Sequence, residues 1–561
     1  MDRLKGKKIL ILGANDKQVQ LIRTAKEEGY YVIVCDYDSN RPGIPLADKQ
    51  YQVNYMDQEA VFFAAKQEQI DGVIGNNDPA MPIVAYVAEK LGLVGNKKNS
   101  IEKLVSKSGF RELQEKSGIY CPKHIEVDDF SEVEEAIKEF EEPIVVKPSL
   151  CAGSLGTTKC LKNQTERQRE AFEICKGFSR NGKVTIEEYV TMPSLEVIEG
   201  DVFVLGDEIL WNGIFTTCRS RMAPMIPMTY IFPAILTQEE LAVIKTTITK
   251  LFKEAGIQHG QYNVEMYFTT KKELFVIEVN PRQGGHLIPQ WILEHTGIDF
   301  TKLLVTTVMG DTEYLDTIKD LKPKDNYQTH HVVFSDCGGI FEKLEIKPAV
   351  KNYVTDVVLH KQSGDHVNPR FFAKDRKIAY VTLDFPNRET QLAFNSEKLE
   401  KLIYPVVREK ELPIADCSLP YQPIFDFMTG DAYDFFVPKL ERVPRTVEGY
   451  AEQLSSYCTI VYDVDENKQI IGMVAGYTHN LRIPQHALIA EVYVNRDHRG
   501  EGLGVKLVKR FIEYSRSIGM KGVWLHVYKD NHQAQQLYQK LGFVIDESTK
   551  EDRLLVMNFT F

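Results

Sequence analysis

The chain has 561 residues, 43% hydrophobic and 26% charged, with a formal net charge of −11. That length exceeds what one hydrophobic core supports and predicts three or more domains, while the acidic balance, with no Lys/Arg stripe, excludes a nucleic-acid surface as the main partner. No apolar run approaches the roughly 18–20 residues of a membrane span, the amino terminus shows no signal peptide, and nine cysteines without a CxxC pair predict reduced thiols and a cytoplasmic protein.

Residues 7–36 read as strand, glycine turn, helix and strand: KKILILGA runs to Gly13, QVQLIRTAKEEGY has helical spacing and stops at Gly29, and YVIVCD follows. GVIGNN at 72–77 and the helical MPIVAYVAEKLGL continue the alternation, which predicts a parallel sheet with crossover helices. The turn at 12–16 is not a full GxGxxG and reads equally as a ligand loop or a tight strand–helix turn. Residues 100–120 predict one amphipathic helix carrying Lys107 and Arg111. Strand PIVVK ends in Lys147 and opens into a Gly/Ser-rich loop, and VTIEEYV at 184–190 is a strand ending in acids. A hairpin turned at Gly206–207, a helix over QEELAVIKTTITKLFKEAG and a hairpin turned at 270–272 complete this region. Short strands (HHVVFSD, YVTDVVLH, KIAYVTLDF) fill 330–405, closed by a helix-like SEKLEKLIYPVVRE. The Pro-rich 411–423 reads as a linker.

LFVIEVNPRQGG (274–285) places Glu278 and Asn280 on one side of a strand, and Glu265 on the partner strand faces them. Two carboxylates and an amide oxygen form a hard-oxygen cluster suited to Mg²⁺, which takes such ligands at about 2.0–2.1 Å. Lys147, before its glycine loop, is placed to neutralise phosphate. Glu187, Glu188 and the backbone of Tyr189 and Val190 lie where an adenine could hydrogen-bond, and Arg282 is placed to meet a transferred phosphoryl group. In the loop CRSRMAPM, Arg219 or Arg221 could bind a substrate carboxylate, or both could be solvated. His286, in the Gly-Gly-His after the metal strand, is a further substrate candidate.

Taken in order, these features resemble an ATP-grasp carboxylate–amine ligase over residues 1–405. The resemblance adds Lys107 as a helix lysine, the flap 151–158 with Ser154 and Gly156, and Glu196 beside the ribose. It implies phosphorylation of a carboxylate by ATP to an acylphosphate, which an amine then attacks. Mg²⁺, Lys147 and Arg282 would spread the developing charge, and the flap would exclude water.

In AEVYVNRDHRGEGLGVKLVKRFIEYSRSIG (490–519) a strand, a loop and a long amphipathic helix follow one another. Arg499, Gly500, Gly502, Leu503 and Gly504 make an anion site at a helix start, suited to a pyrophosphate. Asn531 opens a later helix carrying Tyr538, which LGF ends. The pair of motifs resembles a GNAT acetyltransferase over 420–561. The resemblance implies coenzyme A along Val494 and the loop, with Asn531 beside it, Tyr538 protonating the departing thiolate and Glu491 acting as general base through water.

The expected fold class is therefore α/β and multidomain: a pre-ATP-grasp parallel α/β domain (1–100), an α+β ATP-grasp region (101–325), a carboxyl-terminal lid (326–410) and a GNAT α/β domain (424–561). The expected activity is bifunctional: ATP- and Mg²⁺-dependent ligation of a small carboxylate, an amino acid, to an amine, and acetyl-CoA-dependent N-acyl transfer on the same pathway, giving an acylated dipeptide or an aminoacyl amino sugar. Alternatives are a ligase whose GNAT fold only senses acetyl-CoA, and a carboxylase-like enzyme using bicarbonate; against the latter, the chain has no Met-Lys-Met biotinyl segment. A homodimer is expected by resemblance alone.

Overall fold

The computed structural model describes residues 6–151, 156–220, 226–318, 321, 324, 326–335, 339–367, 377–408, 421–430, 432–433, 435–436, 447–465, 469–478, 486–546 and 554–561. Ser154, Arg221 and most of the 411–423 linker lie outside them. Among the described residues no helix is long and apolar enough to cross a membrane.

The amino-terminal sheet is parallel, in the order Lys49–Tyr51, Tyr31–Cys35, Lys8–Leu12, Gly72–Gly75. The short strand Lys49–Tyr51 carries no hydrophobic run and was not expected from the sequence. A small antiparallel sheet follows, ordered His124–Val127, Val184–Glu188, Ile144–Pro148, Thr158–Cys160. An antiparallel eight-stranded sheet then runs Leu274–Asn280, His259–Phe268, Glu196–Leu205, Glu208–Arg219, Pro227–Phe232, Tyr327–Phe334, Lys377–Phe385, Val354–Leu359. Strands of the 326–410 region thus extend the sheet that carries Leu274–Asn280, and a three-stranded sheet ending in Ile403–Arg408 lies beside it.

Two expectations need correction. Residues 100–120 are two helices, Lys98–Val105 and Lys107–Lys116, because Ser106 takes an extended conformation (ψ 130°) and its hydroxyl accepts from the Gly109 N–H at 3.3 Å, capping the second helix. The helix-like end of the 330–405 region is a helix, Ser396–Leu402, followed at once by the strand Ile403–Arg408; β-branched residues and Pro405 favour strand there.

One face of the large sheet packs on helices Lys98–Val105, Lys107–Lys116 and Gln238–Ala255, through Val202, Val204, Val264, Val276 and Val279. A second cluster joins the amino-terminal sheet and helix Phe300–Val308 to Phe203, Phe215 and Trp291. The last region has its own six-stranded sheet, ordered Thr459–Val464, Ile470–Tyr477, His486–Val494, Gly522–Tyr528, Leu554–Thr560, Val544–Ile545, and its own cores.

Candidate active sites

Strict alternation would put Val276 and Glu278 on one face of their strand. They are not. Glu265 pairs with Glu278 and Met266 with Val276, which leaves Ile277 as a bulge. The bulge sends Val276 into the helix-facing core and Glu278 to the other face.

On that other face three strands make an ordered surface. At one end Val197, Tyr267 and Phe275 form an apolar bed with Tyr120, Val190, Met192 and Ile277 around it. Next comes a row of carboxylates, Glu199, Glu265 and Glu278, directly opposed across the strands. Beyond it lies a row of Asp201, Asn263 and Asn280. Sequence reasoning missed Glu199 and Asp201; their i, i+2 spacing in EVIEGD was the available signal.

Each carboxylate in the row faces a polar side chain from a neighbouring element. Lys107 Nζ lies 2.9 Å from Glu278 Oε2, and the Asn280 amide donates to Glu278 Oε1 at 3.0 Å. Lys107 is the main cause that holds the Glu278 carboxyl below its usual range. The Lys107 backbone N–H donates to Ser149 O at 2.8 Å, tying this helix start to the loop after Lys147. Arg219 is in direct contact with Glu265. Glu199 accepts from the Thr217 hydroxyl at 3.0 Å; burial raises its pKa against the pull of Arg219. Asp201 accepts from Gln261 at 2.6 Å, Asn263 at 3.0 Å and the Gly284 N–H at 2.9 Å. These are oxygen donors of the kind Mg²⁺ takes, so Glu265, Glu278 and the Asn280 amide oxygen fit the ion.

Lys147 and Glu187 form a second centre. Glu187 is 1% exposed and lies 2.5 Å from Lys147 Nζ and 3.1 Å from Arg111 Nε. Burial alone would raise its pKa, but Arg111 and Lys147 outweigh burial and hold it at about 2. Burial lowers the Lys147 pKa, and Glu187 opposes that fall. The Glu187 carboxylate therefore faces two cations. Glu188 accepts from the backbone N–H of Lys123 and Glu141 at 3.3 and 3.2 Å. The Tyr189 N–H donates to Pro143 O at 2.9 Å, and Val190 O accepts from the Tyr267 hydroxyl at 2.7 Å. Gly156 sits at φ +76°, and its carbonyl accepts from Thr158 at 3.0 Å.

Arg282 is held from the amino-terminal region. Its Nε lies 2.9 Å from Asp78 Oδ1, and a terminal nitrogen donates to Asp78 Oδ2 at 3.2 Å. Gln283 continues the link, accepting from Asn76 at 3.3 Å and donating to Gln261 at 3.1 Å. His286 has φ +56° and its Nδ1 lies 2.8 Å from the Tyr230 hydroxyl. Arg219 and Glu196 both line a cleft of about 1120 Å³ together with Ser194, His331 and Ser396.

In the last region the strands His486–Val494 and Gly522–Tyr528 pair only through 486–489 and 522–525, and part beyond Ile489. A second bulge stands at the parting: Ala475 pairs with Glu491 and Gly476 with Ile489, leaving Ala490 extra. Glu491 is 4% exposed and accepts a hydrogen bond from the buried Tyr450 hydroxyl. Burial, then the Glu491 charge, pushes the Tyr538 pKa up to about 12. Arg499 Nε donates to Val494 O at 2.9 Å. Gly500 and Gly502 have φ of +89° and +78°, which side chains rarely adopt, and Gly502 caps helix Leu503–Ser517. A Cβ on Gly504 would meet Leu537 and Val494 at ordinary contact distances of 3.5 and 3.6 Å. Asn531 caps the helix of Tyr538, accepting from the Ala534 N–H at 3.1 Å.

Three family models match the chain in series. The PylC-like N-terminal domain matches residues 9–96, the ATP-grasp domain 140–290 and the acetyltransferase (GNAT) family 425–543. The chain is 24% identical over 325 residues to alanine–anticapsin ligase of Bacillus subtilis, covering 54% of this chain and 68% of that one. It is 27% identical over 311 residues to the carbamoyl phosphate synthase large chain of Methanothrix thermoacetophila, covering 49% of this chain and 27% of that one. The chain thus spans between about a quarter and about two thirds of the length of these relatives. In fold it is similar to an L-amino acid ligase from Bacillus licheniformis, with TM-score 0.59 and 20% identity, covering 72% of this chain and 100% of that chain. The chain thus carries an ATP-grasp domain followed by a carboxyl-terminal domain of the acetyltransferase (GNAT) family.

Proposed function

We propose that the chain is a bifunctional enzyme, an ADP-forming carboxylate–amine ligase whose product is acetylated by the fused transferase. The observation that carries the ligase reading is the opposed Glu265–Glu278 pair, flanked by Lys107 and Arg282, with an apolar bed at one end. The adenine would lie on the Tyr267–Phe275 side, with its phosphates toward Lys147 and Lys107. Glu265, Glu278 and Asn280 would hold Mg²⁺, which when bound screens the phosphate charge. A carboxylate oxygen of the substrate attacks the γ-phosphorus, the bond to the bridging oxygen breaks, and ADP leaves. Arg282 stabilises the charge on the acylphosphate. The amine nitrogen then attacks the acyl carbon and phosphate departs, with flap 151–158 excluding water. Glu187 fixes Lys147 rather than binding the base.

In the transferase the amine attacks the thioester carbonyl and the carbon–sulfur bond breaks. Tyr538, kept protonated by its raised pKa, gives its proton to the thiolate, and Glu491 takes the amine's proton through water. Coenzyme A would enter where the strands part, its pyrophosphate at the glycine loop. Similarity to the named amino-acid ligases favours an amino acid as the carboxylate, and a homodimer is the proposed assembly.

ADP release with Mg-ATP against amino acids, singly and in pairs, tests the ligase. Release that requires one carboxylate and one amine supports it; release driven by bicarbonate alone would contradict it.

A further inference from the structure

Helix Lys107–Lys116 meets the small sheet of strands His124–Val127 and Val184–Glu188 along a ladder of side-chain contacts. At one end the Ser108 hydroxyl donates to Glu126 Oε1 at 2.6 Å. In the middle Arg111 Nε lies 3.1 Å from Glu187, the cross-strand partner of His124. Directly opposed side chains share a face of a sheet, so His124 points at the helix as Glu187 does. Glu115 follows Arg111 by one turn on the same helix face. The next rung is Glu115 against His124, with Oε1 and Nδ1 3.8 Å apart.

A third group joins that rung. The helix stops at Gly118 (φ +62°), and the N–H groups of Gly118 and Ile119 donate back to Glu115 O and Gln114 O at 3.0 and 3.2 Å. The returning chain lays Cys121 beside the helix, its Sγ 3.5 Å from Arg111 O and 3.8 Å from His124 Nδ1. One ring nitrogen thus faces both a thiol and a carboxylate, and the three ligand atoms lie within 4.8 Å of one another. Pro122 O, 3.3 Å from Nδ1 and 3.4 Å from Sγ, adds a further oxygen to the cluster. At 3.8 Å the carboxylate and the ring nitrogen are not hydrogen-bonded. Tetrahedral zinc with ordinary bond lengths sets its sulfur, nitrogen and oxygen ligands about 3.4–3.6 Å apart, so small side-chain rotations complete the geometry.

We propose that Glu115, Cys121 and His124 bind a divalent ion of the zinc class at this rung. The donors are a thiolate, an imidazole nitrogen and a carboxylate oxygen, a mixture that suits Zn²⁺ and that hard Mg²⁺ disfavours. Three protein ligands leave a fourth position for water or the Pro122 carbonyl. As the bond from Sγ to the metal forms, the thiol proton passes to solvent, and Nδ1 binds through its lone pair with the ring proton on Nε2. The site is separate from the Glu265–Glu278 row and takes different chemistry. Its effect is to tie the helix that begins at Lys107 to the sheet that carries Lys147 through a metal, one turn from where Arg111 and Glu187 already join them.

The test uses the full chain, stripped of metal by a chelator and titrated with Co²⁺ in excess Mg²⁺. Co²⁺ should give a near-ultraviolet thiolate-to-metal absorption band together with the strong visible bands of a tetrahedral ion, and Zn²⁺ should abolish both. Alkylation by iodoacetamide, read by peptide mass spectrometry, should be about tenfold slower at Cys121 with Zn²⁺ and unchanged with Mg²⁺ alone. Cys121→Ser should remove the near-ultraviolet band. Glu115→Gln changes a side chain that is 59% exposed, which the fold tolerates. It should weaken Zn²⁺ by about tenfold or more, measured by competition with a chromogenic chelator. No thiolate band in the wild-type chain, a band that survives Cys121→Ser, or Zn²⁺ affinity unchanged in Glu115→Gln overturns the proposal.

Discussion

Glu187 has almost no contact with water, and its charge persists because Arg111 and Lys147 face it from two elements. Its folded pKa, about 2, lies below the ordinary 4.5. The stabilisation is therefore complete above about pH 4.5 and is lost as the pH falls toward 2; it corresponds to about 3 kcal/mol. Glu187→Gln leaves two buried cations facing a neutral amide. It should lower stability by about 3–5 kcal/mol at neutral pH and flatten the acid limb of the melting temperature against pH, both read by calorimetry. Tyr538→Phe belongs to the same scale. Acetyl transfer should fall by about 10²–10⁴-fold, while coenzyme A binding, measured by calorimetry, stays near wild type. Loss of binding instead would make Tyr538 a packing residue. Sequence reading singled out Glu278 and Lys147 as candidates from their strand positions, and Tyr538 from the resemblance to GNAT transferases. It could not show that Glu187 turns inward to Lys147, because Arg111, its other partner, is 76 residues away.

At the scale of elements both sites use the same device. A β-bulge residue, Ile277 or Ala490, immediately precedes the carboxylate, Glu278 or Glu491. Each bulge lets an apolar run that faces one core hand over to a polar side chain facing the other side. Hairpins, caps and the long helices were legible because turn residues and periodicity mark them. The bulges were not, since nothing in the local pattern of LFVIEVN distinguishes an extra residue from a break in alternation. The split at Ser106 was hidden for a similar reason: IEKLVSKSGFRELQEK keeps helical spacing across it. Ser106→Ala should cost about 0.5–2 kcal/mol and raise the KM for ATP, because Lys107 is the first residue of the helix it caps. Gly476 stands opposite the second bulge, and a Cβ there would meet Leu488 O at 2.4 Å and Phe511 Cζ at 2.5 Å. Gly476→Ala should destabilise the transferase fold by about 1–3 kcal/mol and leave ADP formation unchanged.

For the molecule as a whole, the amino-terminal sheet and the ATP-grasp sheet share one hydrophobic cluster, and Asp78 reaches across to Arg282. Among the described residues no hydrophobic cluster contains residues from both sides of 409–420. Scanning calorimetry of the full chain should accordingly show two transitions, with acetyl-CoA shifting one and Mg-ATP the other; one transition moved by both ligands would mean a shared folding unit. The order of domains could be read from the sequence because each carries its own motifs in series. The extension of one sheet from Leu274–Asn280 to Val354–Leu359 could not, since those pairings join strands far apart in the chain. The central claim is that two chemistries act on one molecule. Its most direct test is mass spectrometry of the products formed from pairs of amino acids, or an amino acid and an amino sugar, with Mg-ATP and acetyl-CoA together. The account predicts a ligated product that is one acetyl group heavier when acetyl-CoA is present. A ligated product that is never acetylated, alongside acetylation of an unrelated amine, would contradict it.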